Sequence, residues 1–183
     1  MTMLKPRSAP NPTEPPPTEP PPTVQAAATL WLVAVAAGVF ETVLVVGDLL
    51  SSGTASAGEL LSGVGIRLVV FVTAVFLALR LRRGANWARW TLAVTLGVFG
   101  TLSLVIGPIQ WLMDGHSVAE AFAGADAMGL MFAGSRVLHV LAVLGAVTLM
   151  FQPRANAYFR SARRDLAEDD SARHALGDRI GRA

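Results

Sequence analysis

The chain has 183 residues, of which 52% are hydrophobic and only 15% charged. Ordinary soluble domains carry about 25% charged residues, so this composition excludes a typical globular protein and points to a membrane protein. The absence of cysteine excludes disulfides, thiolate metal sites and cysteine nucleophiles, and 15 basic against 13 acidic residues is too balanced for nucleic-acid binding by charge.

Residues 1–23 hold nine of the 11 prolines, with the block Thr-Glu-Pro-Pro-Pro written twice, at 13–17 and 18–22. Proline fixes φ and removes a backbone donor, so this tail is expected to be disordered and extended, without a core. It does not read as a signal peptide, because Lys5 and Arg7 are followed by prolines instead of an apolar run. A flexible cytoplasmic spacer is the plain reading, and a docking segment for a proline-binding cytoplasmic protein is the sharper one.

Four apolar stretches follow, at about 24–50, 64–81, 87–113 and 127–151. A helix needs ~20 residues to cross a hydrocarbon core of ~30 Å, and all but the second reach this easily. The second, bounded by Arg67 and Arg80, calls for snorkelling or local thinning. The expected fold is an all-α membrane protein of four transmembrane helices over 24–151, with a charged tail at 152–183.

The second and third helices are joined by a segment carrying Arg80, Arg82, Arg83 and Arg89 and no acid, and Arg154, Arg160, Arg163 and Arg164 follow the fourth. The other two connections hold Glu59, Asp114, Glu120 and Asp126 and no Lys or Arg. By the positive-inside rule both termini lie in the cytoplasm and the arginines anchor that side. Trp31, Trp87, Trp90, Trp111 and Tyr158 fall near the expected helix ends, where such rings favour the interface. Residues 156–164 are expected to lie on the inner leaflet with Tyr158 and Phe159 buried in it, before a frayed end.

Gly38-Val39-Phe40 recurs as Gly97-Val98-Phe99, and the same alignment sets Ala34 on Ala93 and Thr42 on Thr101. Each helix thus carries an Ala-x3-Gly-x3-Thr ridge, the small-residue spacing that lets helices approach closely in lipid. Arg67 and Arg136 also match, which suggests two duplicated hairpins about an axis along the membrane normal. The ridges read as packing within one bundle, or as a homodimer face.

Ionisable groups inside a membrane are the first place to look for chemistry. Here they are Glu41, Asp48, Arg67, Arg136 and His139. At 1.5 Å per residue, Glu41 and His139 both fall near the midplane of a ~30 Å core. An isolated charge there costs at least ~2.5–3.5 kcal/mol, so Glu41 should be paired, with Arg136 or His139, or carried as the neutral acid. Asp48 is expected to meet Arg67. The group reads either as a polar clasp that fixes helix order or as a proton or small-ligand site. Glu41 and His139 break the duplication, whereas Arg67 and Arg136 preserve it and look architectural.

No nucleophile elbow, Walker sequence or dinucleotide fingerprint occurs, and His116, His139 and His174 are too dispersed for a metal site. No cofactor, metal or enzymatic activity is expected. The segments Arg83-Gly84-Ala85-Asn86-Trp87-Ala88-Arg89 and Ala155-Asn156-Ala157-Tyr158-Phe159-Arg160 resemble those of a group of uncharacterised actinobacterial integral membrane proteins. The similarity covers about residues 30–160. It implies four membrane helices in a bacterial plasma membrane and brings no activity. The reading that follows is a non-enzymatic scaffold, assembly or accessory subunit in contact with the lipid bilayer. Its alternative is a small proton-coupled transporter or channel-like oligomer using the intramembrane Glu/His/Arg cluster.

Overall fold

A computed structural model describes residues 19–53, 56–123 and 126–180. The proline-rich tail lies outside the described residues except for positions 19–23. Among the described residues every regular element is helical: α1 (Pro22–Ser52), α2 (Ala57–Arg82), α3 (Asn86–Thr91), a π-helical stretch (Leu92–Gly100), α4 (Thr101–Met113), α5 (Val118–Phe122), α6 (Ala127–Met150) and α7 (Pro153–Ile180). α3, the π stretch and α4 form one continuous rod. With it, α1, α2 and α6 make four helices long and apolar enough to cross a membrane.

The helix starts follow from local chemistry. Pro22 opens α1 at a first-turn position where its missing N–H costs nothing. α2 begins at Ala57, seven residues before the expected start at 64, because Ser56 and Glu59 form a capping box. The Glu59 amide donates to Ser56 Oγ at 3.3 Å and the Ser56 amide donates to Glu59 Oε2 at 3.0 Å. The helix therefore reaches 26 residues, long enough to cross a ~30 Å hydrocarbon core. Ser117 and Glu120 repeat the box at α5, and Asp126 Oδ1 accepts the Gly129 amide at 2.8 Å to start α6. Glu59, Glu120 and Asp126, acids of the two connections without Lys or Arg, are thus helix caps that also favour the positive ends of their helices.

α1 is central. Its buried residues Val24, Ala27, Ala28, Trp31, Ala34, Ala37, Gly38 and Glu41 recur every three or four positions and form one stripe. Most of that stripe packs on α6, and α2 takes the next share. α2 meets the third span through α3 and the π stretch. The largest fully buried side chains, Trp31, Leu81, Leu92 and Met150, all lie in the half of the bundle nearest the arginines. Trp31 is therefore a core residue and not an interfacial one. At the opposite, acidic end α4 buries no residue. The bundle is packed shut at one end and loosened at the other.

The start of α7 docks on the bundle instead of lying in lipid. Ala155 and Phe159 are buried in the main core, and Tyr158 Oη donates to the Arg82 carbonyl at 3.0 Å. The helix then continues to Ile180, where a frayed end was expected.

Candidate functional site

Where the packing loosens, a cavity of about 290 Å³ opens among all four spans. α1 lines it with Gly38, Glu41 and Thr42, α2 with Arg67 and Phe71, α4 with Ser103 and Leu104, and α6 with Phe132, Arg136 and His139. Counted along the helices, Glu41 and His139 lie about 16 Å from Leu30 and from Met150, so the cavity begins near mid-membrane.

Glu41 is buried, and its Oε1 sits 3.6 Å from His139 Nδ1. Ser135 Oγ stands 3.4 Å from the same carboxylate oxygen and 3.3 Å from the Ala37 carbonyl, within reach to donate to either. His139 Nδ1 has no hydrogen-bond partner within ordinary distance. The pair is close enough for Coulombic attraction and for a proton to move between them after a small shift. The closeness depends on Gly38. A Cβ there would stand 2.9 Å from Phe71 Cε1 and 3.3 Å from His139 Cε1, so only glycine lets both rings lie against α1.

Arg136 does not bond to Glu41. Its Nη2 donates to the Leu104 carbonyl at 3.0 Å, and its guanidinium lies 5.6 Å from the Phe132 ring. Leu104 precedes Pro108 by four residues, and proline supplies no N–H to complete that turn of α4. Arg136 thus satisfies a carbonyl the helix itself cannot. Arg67 lines the cavity from α2, and among the described residues no ion pair joins it to Asp48, which is exposed.

The expected packing ridges are placed as follows. Ala34, Gly38 and Ala93 are buried, while Thr42, Gly97 and Thr101 are half-buried. Thr42 Oγ1 donates to the Gly38 carbonyl at 2.8 Å. Gly97 approaches Val147, whose Cγ2 would lie 3.1 Å from an added Cβ.

Of the arginines read as basic anchors, Arg80, Arg82, Arg83, Arg154, Arg160, Arg163 and Arg164 are exposed, and Arg89 is not. Arg89 is buried, donates through Nη2 to Asn156 Oδ1, and stacks over Phe151 at 4.1 Å and Phe159 at 5.1 Å. Asn156 in turn donates to the Phe151 carbonyl at 3.0 Å. Arg89 therefore ties α7 to the third span, since its planar fork can bond and stack at once.

Sequence reasoning missed Ser135, Phe71, Ser103 and the Leu104 carbonyl. For the last a signal existed, because a proline inside an apolar helix always orphans a carbonyl four residues back. Among the described residues no group of three or more His, Asp or Glu side chains could hold a metal ion. No family model, curated protein or solved structure matches this chain.

Proposed function

We propose that this chain is a small proton-linked carrier or channel-like subunit of a bacterial plasma membrane, with both termini cytoplasmic and no catalytic chemistry of its own. One observation carries the reading. Glu41 and His139 do not close on each other as a dry clasp would, but line a cavity that also receives Arg67 and Arg136. A carboxylate beside an imidazole is the smallest pair that can take up and release a proton near neutral pH. Its site is walled off toward the arginine end by the packed core and lies toward the acidic end, where α4 contributes nothing to the core. The cytoplasmic assignment of the arginine end rests on the positive-inside rule. A lone four-helix bundle leaves little room for a continuous water path, so the working unit is a homodimer.

Full-length protein in liposomes with an internal pH dye tests the proposal. Wild type should dissipate an imposed pH gradient faster than protein-free vesicles, and Glu41→Gln should return the rate to that of empty vesicles. Wild-type vesicles no leakier than empty ones, or a fully active Glu41→Gln, would reject it.

A second reading, a non-enzymatic scaffold or accessory subunit, is favoured by α7. This 28-residue helix buries Ala155 and Phe159 near its start and runs on well past them. Together with residues 1–23 it would offer a cytoplasmic partner two segments on one side of the membrane. A pull-down from mild detergent, with and without residues 1–23, would identify such a partner. Membership of the actinobacterial group belongs to the same proposal. In its support, the two segments that carry the resemblance dock on each other through Arg89, Asn156, Gly84 and Tyr158.

A further inference from the structure

We propose that the arginine end carries a headgroup site for an anionic phospholipid, formed where α7 docks on the turn between α2 and α3. A cavity of about 740 Å³ lies there, bounded by Arg80, Arg83, Asn86, Trp87, Phe159 and Arg163. Among the described residues no acidic side chain lines it and none of the three arginines forms an ion pair. Three arginines on one cavity, with no described counter-charge, suit a phosphate-bearing group.

The fold builds the cavity. Gly84 turns the chain with φ of 78°, and an added Cβ would stand 2.9 Å from the Ala162 Cβ and 3.4 Å from Tyr158 Oη. The turn therefore lies flush on α7, which sets Arg163 on the same cavity as Arg80 and Arg83 although they are far apart in sequence. Tyr158 holds the arrangement by donating to the Arg82 carbonyl, and burial raises its phenol above the ordinary value, so it keeps the proton it donates.

A lipid, and not free phosphate, fits the surroundings. Arg80 lies 5.2 Å over the Phe76 ring, and Phe76 stands 6.4 Å from Trp87. Both rings are about half exposed on the apolar flank of the spans, a surface for the first methylenes of an acyl chain. A soluble anion would have no use for it.

The test uses full-length protein in neutral detergent, titrated separately with dioleoyl-phosphatidylglycerol, dioleoyl-phosphatidylcholine and sodium phosphate. Bound lipid is read by native mass spectrometry and Tm by thermal shift. Phosphatidylglycerol should bind and raise Tm, and the other two should not. Each pocket arginine changed to Gln should weaken binding about fivefold, the effect of ~1 kcal/mol per basic residue near a charged surface. Arg80→Gln/Arg83→Gln/Arg163→Gln should then lose roughly a hundredfold, whereas the charge-matched Arg154→Gln/Arg160→Gln/Arg164→Gln should bind like wild type. If the triple variant does not fold, Arg163→Gln alone, on an exposed position, should still show its fivefold loss. Equal binding of phosphatidylcholine, a Tm rise with sodium phosphate, or equal losses in the two triple variants would overturn the site.

Discussion

Arg136 donates to the carbonyl of Leu104 at 3.0 Å, the one carbonyl in α4 that Pro108 leaves without an intrahelical partner. The arginine is bound to a backbone defect in a neighbouring helix, which explains why it does not pair with the carboxylate of Glu41 one helix away. A hydrogen bond from a charged donor is worth ~1.5–3 kcal/mol. Arg136→Ala should therefore destabilise the protein by about that amount in the wild-type background. In a Pro108→Ala background, where residue 108 again supplies an N–H, the loss should be smaller. A thermal-unfolding double-mutant cycle in detergent measures the difference, and additive losses would break the link between the two residues.

The glycines make a second test, because the structure gives them opposite roles. Gly38→Leu and Gly97→Leu push a branched side chain into Phe71 and Val147, an overpacking that costs ~1–3 kcal/mol. Val39→Leu and Val98→Leu, on exposed positions, should be nearly silent. Gly84→Ala should also destabilise, since its positive φ and the nearby Ala162 both oppose a Cβ. Gly65→Ala, inside α2 with nothing within 4 Å of the added carbon, should instead stabilise by ~0.5–1 kcal/mol. Tm values that rank Gly65→Ala with Gly84→Ala would contradict the packing.

The spans are legible in the sequence because apolar length is a one-dimensional property, and a run of 20 or more such residues has few other fates. Depth is legible too: counting residues from the helix ends sets Glu41 and His139 level with each other. What the sequence hides is lateral. Whether Glu41 meets His139 or Arg136 depends on which face each helix turns inward, and Arg136 is diverted by Pro108. The early start of α2 is readable from Ser56 and Glu59, but Gly63 and Gly65 interrupt the apolar run that marks a span. Trp31, Arg89 and Phe159 are residue types of interfacial anchors, and only the packing of the helices shows them buried. The π-helical register of Leu92–Gly100 leaves no mark in residue types that suit either helix.

Coupling at the site is expected to run through His139. Removing one member of the pair leaves the other without its neighbour in the cavity, whereas removing both does not. Glu41→Ala should destabilise more than Glu41→Gln, which keeps a hydrogen-bonding group beside Ser135. In Tm cycles, Glu41→Ala should couple to His139→Ala and be additive with Arg136→Ala. The reverse pattern would mean that the carboxylate faces the arginine after all.

Orientation is open to direct labelling. With both termini cytoplasmic, single cysteines at Ser52 and Ser117 should react with an impermeant maleimide on intact cells, and one at Ala85 only after lysis. Labelling of Ala85→Cys in intact cells would invert the protein and place the arginine pocket in the opposite leaflet.

Infrared difference spectroscopy of the full-length protein in membranes tests most directly the proposed proton exchange between the Glu41/His139 pair and water through the cavity. Stepping the bulk pH should change a carboxylic-acid C=O band that shifts in D2O and is absent in Glu41→Gln, and His139→Gln should move the pH at which it changes. A wild-type spectrum with no such band, or one that survives unchanged in Glu41→Gln, would contradict the account.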